Sequence, residues 1–387
     1  MKYFHSCATK RYRKNLIEGI RDEGGSWKKN MEEITEVLVS YYRSLFTSKG
    51  QMDASRVLEY VPNVIIDEMN ALLSRKFEVH EVEMALHQMA PLKAPGLDGM
   101  PRLFYQHFWD TVNHDVTSSI LMWLNSGTFP QSLNHTFITL IPKNNSPEHA
   151  HQFRFVSLCN VLYKIFSKVL ANRLKKVLPF IITEHQSAFT KVRLISDNIM
   201  VAFETLHCLQ RYNSGTHGYM AVKLDMSKAY DRVEWVFLEG IMRRMGFNEG
   251  WIHLIMLCVK TITYSVLVNG EPCGMIHPTR GIRQGDPLSP FLFLLCTEGL
   301  NGLIKKAERN GDIHGFSLCR RGPKLTHLLF ADNSLLFCRA TMEEYGKVLN
   351  MLSDYEDAFG QKINKSKTTL FFSKAMDGDI KDQIKEA

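Results

Sequence analysis

Two aspartates far apart in the chain are its side chains best placed to do chemistry. Asp225 ends the strand-like run Tyr219-Met220-Ala221-Val222-Lys223-Leu224. Asp332 sits between the apolar runs of Leu328-Leu329-Phe330-Ala331-Asp332-Asn333-Ser334-Leu335-Leu336-Phe337. A lone Asp at a strand end is usually a turn or cap residue. A charged residue at the tip of a tight apolar hairpin is instead held rigidly and lifted clear of the core. Two such carboxylates from different strands could share Mg²⁺, which prefers oxygen ligands in octahedral geometry. One ion would activate a sugar hydroxyl and a second would neutralise a triphosphate and its leaving group, which is nucleotidyl transfer. A third carboxylate is expected directly after Asp332, and the chain has Asn333 there.

A second candidate is Arg280-Gly281-Ile282-Arg283-Gln284-Gly285-Asp286-Pro287-Leu288-Ser289-Pro290. Glycine lets backbone approach a ligand closely, and proline fixes the entry to a following helix. Helix starts favour anions. The segment reads either as a phosphate or base contact or as a plain turn into a helix.

The elements that must position these residues follow from periodicity. Helical spacing covers 32–45, 79–89, 104–124, 232–245, 290–309 and 343–359, with Gly246 as a helix stop. Strand patterns cover 137–143, 219–224, 264–268, 325–329, 334–338 and 368–372. Asn269-Gly270 is a hairpin turn signal, and 91–101 is a loop rich in Pro and Gly. The helix over 160–178 carries Lys164, Lys168, Arg173, Lys175 and Lys176, either as a solvated face or as a nucleic-acid contact. Residues 1–75 read as a mostly helical surface extension. Alternating strands and helices with hairpins predict an α+β fold, an antiparallel sheet with helices on one face.

Composition sets the bounds. A chain of 387 residues suits two or three subdomains. Its 45% hydrophobic and 22% charged residues are ordinary for a globular protein, and the net charge of +7 mildly suits a polyanionic partner. The eight cysteines are scattered, with no Cys-x-x-Cys pair and no Cys/His cluster at zinc spacing, which suggests a reducing intracellular compartment. No apolar run is long enough for a signal peptide or a membrane span.

Several motifs together carry a specific resemblance. They are Lys93-Ala94-Pro95-Gly96-Leu97-Asp98-Gly99, Leu140-Ile141-Pro142-Lys143, Ser157-Leu158-Cys159-Asn160-Val161-Leu162-Tyr163-Lys164 and Arg193-Leu194-Ile195-Ser196-Asp197-Asn198. Asp225-Met226-Ser227-Lys228-Ala229-Tyr230-Asp231, the 280–290 segment, Phe330-Ala331-Asp332-Asn333 and Gly360-Gln361-Lys362-Ile363-Asn364-Lys365-Ser366-Lys367 follow. In order and spacing the chain resembles the reverse transcriptase of a plant LINE-type non-LTR retrotransposon, over essentially its whole length.

The resemblance implies a right-hand polymerase fold, with fingers over 76–215, a palm with an antiparallel sheet over 216–375, and a truncated thumb or tail over 376–387. It makes 1–75 the linker after an endonuclease that is absent. It implies RNA-directed DNA synthesis with RNA template, DNA primer and deoxynucleoside triphosphates as partners. Two Mg²⁺ ions, or Mn²⁺, are the implied cofactors, held by Asp225, Asp332 and the Met226 carbonyl. Asn333 stands at the family's third carboxylate. Tyr230 would lie under the incoming sugar and exclude a 2′-hydroxyl. Lys143 and Arg154 would grip the triphosphate, and Gln284 and Gly285 would contact nucleotide and template. Lys367 would protonate the pyrophosphate. The expected state is a monomer or a fragment of a larger polyprotein, located in the nucleus, the cytoplasm or both, with no membrane.

Departures from the family pattern point to mutational decay: Asn333, Phe155 and Leu97 where Pro is usual, and Lys191-Val192 where Pro-Gly is usual. The rival reading is therefore a catalytically inactive remnant with at most weak nucleic-acid binding. A phosphatase using Asp225 as nucleophile is a third reading, weakened by Ser227 where such sites want a second Asp.

Overall fold

A computed structural model of the chain describes residues 2–50, 53–190, 193–212, 218–319, 322–364, 366–374, 376 and 378–386. Lys191-Val192 lies outside the described residues. The chain divides into two compact units, each drawn from three separated segments. The first takes 1–48, 75–172 and 253–289, and the second takes 49–74, 173–252 and 290–387. The mixed α and β content agrees with the expected class.

The first unit is built on a four-stranded sheet in the order Phe153–Leu158, His135–Pro142, Thr263–Val268, Glu271–Ile276. Its outer pairings are antiparallel, but His135–Pro142 and Thr263–Val268 run parallel, which the hairpin signals did not foreshadow. Asn269 and Gly270 both take positive φ, 53° and 99°, and join the last two strands in the tight turn the sequence predicts.

Helix Met31–Phe46 starts at Asn30, whose Oδ1 accepts the Glu32 N–H at 3.3 Å. Its apolar side chains recur every three or four residues, so Ile34, Leu38, Tyr42, Leu45 and Phe46 share one buried face. Phe46 stacks on Tyr264 with centroids 4.9 Å apart, and Tyr42 meets Phe155 edge-on at 5.7 Å. Residues 1–75 therefore do not stand apart as a surface extension. Residues 1–48 belong to the first unit and 49–74 to the second.

Phe155 also corrects the decay reading. It pairs with Leu140 inside the sheet and is almost fully buried against Tyr42 and Phe46, so it is a packing residue in a strand rather than a spoiled turn. Gly96, in contrast, is a position only glycine fills. A Cβ there would lie 2.4 Å from the Asn160 backbone nitrogen, so the two motifs around these residues are in direct backbone contact.

The predicted helix over 104–124 is broken. Arg102–His107 and Trp109–Ser126 meet at Phe108, whose φ of −98° and ψ of 23° leave the helical range. The basic helix forms as Val161–Ile181, but Lys164 and Arg173 are buried on it, whereas Lys175 and Lys176 are exposed. Both readings of a charged face fail for the buried pair. Arg173 instead donates from Nη1 to the Leu73 carbonyl at 2.8 Å.

The second unit holds the antiparallel sheet, in the order His327–Phe330, Asn333–Arg339, Tyr219–Asp225, Thr369–Phe372. Tyr219–Asp225 runs between two neighbours, which is why Met220, Ala221, Val222 and Leu224 are all buried. Helix Met342–Phe359 is capped by Thr341, whose Oγ1 accepts the Glu344 N–H at 3.2 Å, and it stops at Gly360 with φ 78°. Helix Trp235–Met245 stops the same way at Gly246.

Candidate active site

The carboxylates come together at one end of the second unit's sheet. Asp225 is the last residue of its strand, and Asn333 lies directly opposite it in the antiparallel register. Phe330 pairs with Asn333, so Ala331 and Asp332 form the two-residue turn between them. Ala331 takes φ 51°, a backbone region that residues with a Cβ rarely adopt. A one-residue register slip would turn Asn333 away from Asp225, so the apolar alternation of both strands sets the site.

The motif after helix Met342–Phe359 closes the site from a third side. The Asn364 N–H donates to the Asp225 carbonyl at 2.8 Å, and its Nδ2 donates to Asp225 Oδ2 at 3.3 Å. Lys367 Nζ lies 3.6 Å from the same carboxylate oxygen. Met226 forms an isolated bridge with Ile363, and the Ser227 N–H donates to the Lys362 carbonyl at 2.7 Å. Gln361 is buried and donates from Nε2 to the Ala229 carbonyl. Asn364 and Gln361 were not singled out from the sequence. Their place in the motif beside Lys367 was the available signal.

Electrostatics distinguish the two aspartates. Asp332 is held above the ordinary carboxylate range, first by burial and also by the Asp225 charge, while its backbone hydrogen bond and Lys367 oppose the shift. Asp225 carries the Lys367 ion pair. Asn333 Nδ2 donates to Asp332 Oδ1 at 3.4 Å, a long hydrogen bond. Tyr230 stacks on Phe293 with centroids 5.0 Å apart, and burial, then the Asp332 charge, push its phenol up to about 12. The hydroxyl therefore stays neutral at any ordinary pH.

This donor set fits a divalent cation. Two carboxylates face one another closely enough to repel, and a lysine ammonium already approaches one of them. Asp225 and Asp332 are the groups that would hold the ion. Asn333 carries a neutral amide in place of a third charge, so it would add a ligand oxygen without adding attraction.

The other expected nucleotide contacts lie on the first unit. Lys143 and Arg154 are both exposed at the loop end of one hairpin, where Ile141 pairs with Arg154 and the Lys143 N–H donates to the Gln152 carbonyl at 2.9 Å. Lys143 Nζ also donates to the His151 carbonyl at 2.8 Å.

The 280–290 segment separates into two kinds of residue. Gly285 is exposed with φ 92°, and Gln284 is half-buried. Arg280, Arg283 and Asp286 are buried. Arg283 stacks over Tyr163 at 3.7 Å and donates to Thr136 Oγ1 at 3.0 Å and to the Cys258 carbonyl at 3.1 Å. Asp286 accepts from the Tyr163 hydroxyl and the Leu288 N–H. These charged residues build the unit, while Gln284 and Gly285 keep surface that a ligand can reach.

Elsewhere, Glu204, His207 and Cys208 share a turn of helix Ile195–Arg211, their donor atoms within 4.8 Å of one another. The sequence reading had found no Cys/His grouping at zinc spacing. Among the described residues no helix is long and apolar enough to cross a membrane.

With this geometry in view, comparison with known proteins decides the family. The profile of the reverse transcriptase (RNA-dependent DNA polymerase) family matches residues 141–385. The chain belongs to the reverse transcriptase family. Its match therefore contains the site strands, the 280–290 segment and the Lys367 motif. The chain is 27% identical over 369 residues to the transposon TX1 uncharacterized 149 kDa protein of Xenopus laevis, covering 95% of this chain and 28% of that protein. It is 24% identical over 334 residues to the Pol polyprotein from type-2 retrotransposable element R2DM of Drosophila melanogaster, covering 86% and 29%. An uncharacterized mitochondrial protein of Arabidopsis thaliana is 50% identical over 68 residues, 18% of this chain and 56% of that one. The chain thus spans less than a third of the two long relatives.

Proposed function

We propose that the chain is the RNA-directed DNA polymerase domain of a non-LTR retrotransposon, extending a primer 3′-hydroxyl on an RNA template. The observation that carries this reading is the pairing of Asp225 with the Asp332 turn at one sheet end. A plant LINE-type lineage is supported by the Arabidopsis similarity, and the relatives named Pol polyproteins support a larger polyprotein setting. In the polymerase description, 76–215 supplies fingers and 216–375 the palm. Work on nuclear or cytoplasmic RNA and DNA goes with that activity.

Bound Mg²⁺, or Mn²⁺ in its place, would supply neutralisation of phosphate charge and a lowered pKa for the attacking hydroxyl. Asp225 and Asp332 would hold it, with the Met226 carbonyl as a further ligand. Lys143 and Arg154 offer exposed cations for the triphosphate, and Gln284 and Gly285 offer accessible backbone and amide for nucleotide and template. Tyr230, locked flat against Phe293, presents a rigid neutral ring against which a 2′-hydroxyl would clash. Lys367, exposed beside Asp225, is the proton donor assigned to pyrophosphate.

Primer extension on an RNA template with Mg²⁺ tests the proposal, comparing the native chain with Asp225→Ala and Asn333→Asp. The native chain is expected to incorporate deoxynucleotides, with Asp225→Ala slower by about a hundredfold or more. Asn333, neutral and opposite Asp225, is the feature of the site that favours an inactive remnant. Incorporation by Asn333→Asp but not by the native chain would establish that second reading. Incorporation that survives Asp225→Ala would sink the site assignment.

A further inference from the structure

We propose that Gln186 is a positioning residue that fixes the turn carrying Asp332, and that divalent-cation binding at the carboxylate pair depends on it. The second half rests on the nucleotidyl-transfer reading; the first half does not.

The turn needs help from outside. A two-residue hairpin turn with an alanine at φ 51° is not the conformation that its sequence prefers. The support comes from Gln186, which is fully buried. Its Oε1 accepts the Ala331 N–H at 3.1 Å and the Ala188 N–H at 3.0 Å. Two backbone donors converging on one atom identify that atom as the amide oxygen. The bond acts in a buried setting, where it is stronger than it would be in water.

Gln186 is itself anchored from several directions. Its N–H donates to the Thr183 carbonyl at 3.1 Å, and its own carbonyl accepts from Arg193 Nη1 at 2.7 Å. Arg193 also binds the Thr183 and Ile182 carbonyls, so one guanidinium gathers the chain just before Gln186. The neighbouring backbone is tied to the hairpin. The Leu329 N–H donates to the His185 carbonyl at 2.9 Å, and the Ser187 N–H to the Leu329 carbonyl at 3.2 Å. Asn198 Nδ2 adds a bond to the Leu329 carbonyl at 3.1 Å. The 185–187 segment is therefore a parallel splint along the edge strand, and Gln186 reaches from it to the tip.

The chemistry of the side chain suits the task. Met has similar length but no strong acceptor, so it would leave the Ala331 N–H unpaired. Glu would accept the same bonds but add a negative charge beside Asp332, which already sits near Asp225. A neutral acceptor of this reach is what the position calls for. The same bond explains how a strained residue persists next to a carboxylate that must be held in place.

The test uses the full chain in four forms: native, Gln186→Met, Ala331→Gly and the double variant. Two quantities are read without polymerase turnover: hydrogen exchange of the 329–335 segment by mass spectrometry, and the Kd for Mn²⁺ by titration. Gln186→Met should speed exchange in the segment and weaken Mn²⁺ binding, each by about tenfold, as loss of a buried acceptor implies. Glycine takes positive φ without strain, so in the Ala331→Gly background the same substitution should weaken Mn²⁺ by no more than about twofold. Equal losses in both backgrounds would mean that Gln186 acts only through general stability, and would overturn the proposal. So would unchanged exchange and Kd in Gln186→Met. If Gln186→Met does not fold, Gln186→Asn decides: it keeps a neutral amide but loses the reach to Ala331, so native exchange in 329–335 would overturn the proposal. A native chain that binds no Mn²⁺ but shows the exchange effect would refute the cation half and the polymerase reading while leaving the turn assignment standing.

Discussion

At the scale of single residues, the site is a balance of charge. Asp225 and Asp332 repel, Lys367 offsets part of that, and Asn333 contributes a dipole where a third carboxylate would add repulsion. Asp332 carries the measurable consequence. Its folded pKa is raised, by burial first and by Asp225, so the folded chain keeps this proton more readily than the unfolded chain does. The associated stabilisation is complete below the ordinary carboxylate value and is lost as pH rises through the folded value. Asp332→Asn removes that loss. In EDTA, denaturant unfolding should show the variant more stable than the native chain at pH 7, with the advantage shrinking as pH is lowered into the carboxylate range. A constant difference across pH would contradict the assigned shift. Divalent cation should reverse the order at pH 7, because only the native chain gains from binding it.

At the scale of elements, the 280–290 segment shows how one motif serves two purposes. Gln284 and Gly285 face outward, while Arg283 is a buried hub for Tyr163, Thr136, Cys258 and Asp286. A buried guanidinium is tolerated only because each face and edge has a partner, and removing it leaves those partners uncompensated. Arg283→Ala should lower unfolding stability by about 3–5 kcal/mol, read from the denaturation midpoint. A loss below about 0.5 kcal/mol, the range for surface changes, would show that the hub is not structural. Lys164 and Arg173 teach the same lesson on helix Val161–Ile181. Their spacing on the helix was legible, but whether they met solvent depended on elements that pack against them.

At the scale of the whole molecule, both units are assembled from segments distant in sequence, so neither can be excised as one stretch. The first 48 residues supply the Tyr42 and Phe46 side chains that pack on Phe155 and Tyr264. Truncation to 49–387 strips a buried helix face from the first unit's sheet. Each lost buried aromatic is worth about 3–5 kcal/mol, so the truncated chain should lose near-ultraviolet circular dichroism and bind a hydrophobic dye. A truncated chain with native spectra would restore the reading of this region as a surface extension.

Much of the fold was legible because its signals are local. Asn269-Gly270 demands a left-handed turn, Gly246 and Gly360 release helix carbonyls, and apolar runs flank Asp225 and Asp332. The reverse transcriptase motifs were legible because their order survives whatever the chain's three-dimensional path. Other features were not legible, because they depend on contacts between distant segments. The strand Phe153–Leu158 went unread, since its buried phase includes Ser157 while Val156 and Leu158 fall in the outward phase, and the break at Phe108 has no glycine or proline to announce it. Gln186 looks like any polar residue in its sequence neighbourhood. The sequence by itself determined which carboxylates and which family chemistry the chain carries, because residue type and spacing encode both. Only the tertiary structure decided that Asn333 stands opposite Asp225 and that Gln186 holds the Asp332 turn, because strand register and long-range hydrogen bonds exist only once the segments meet.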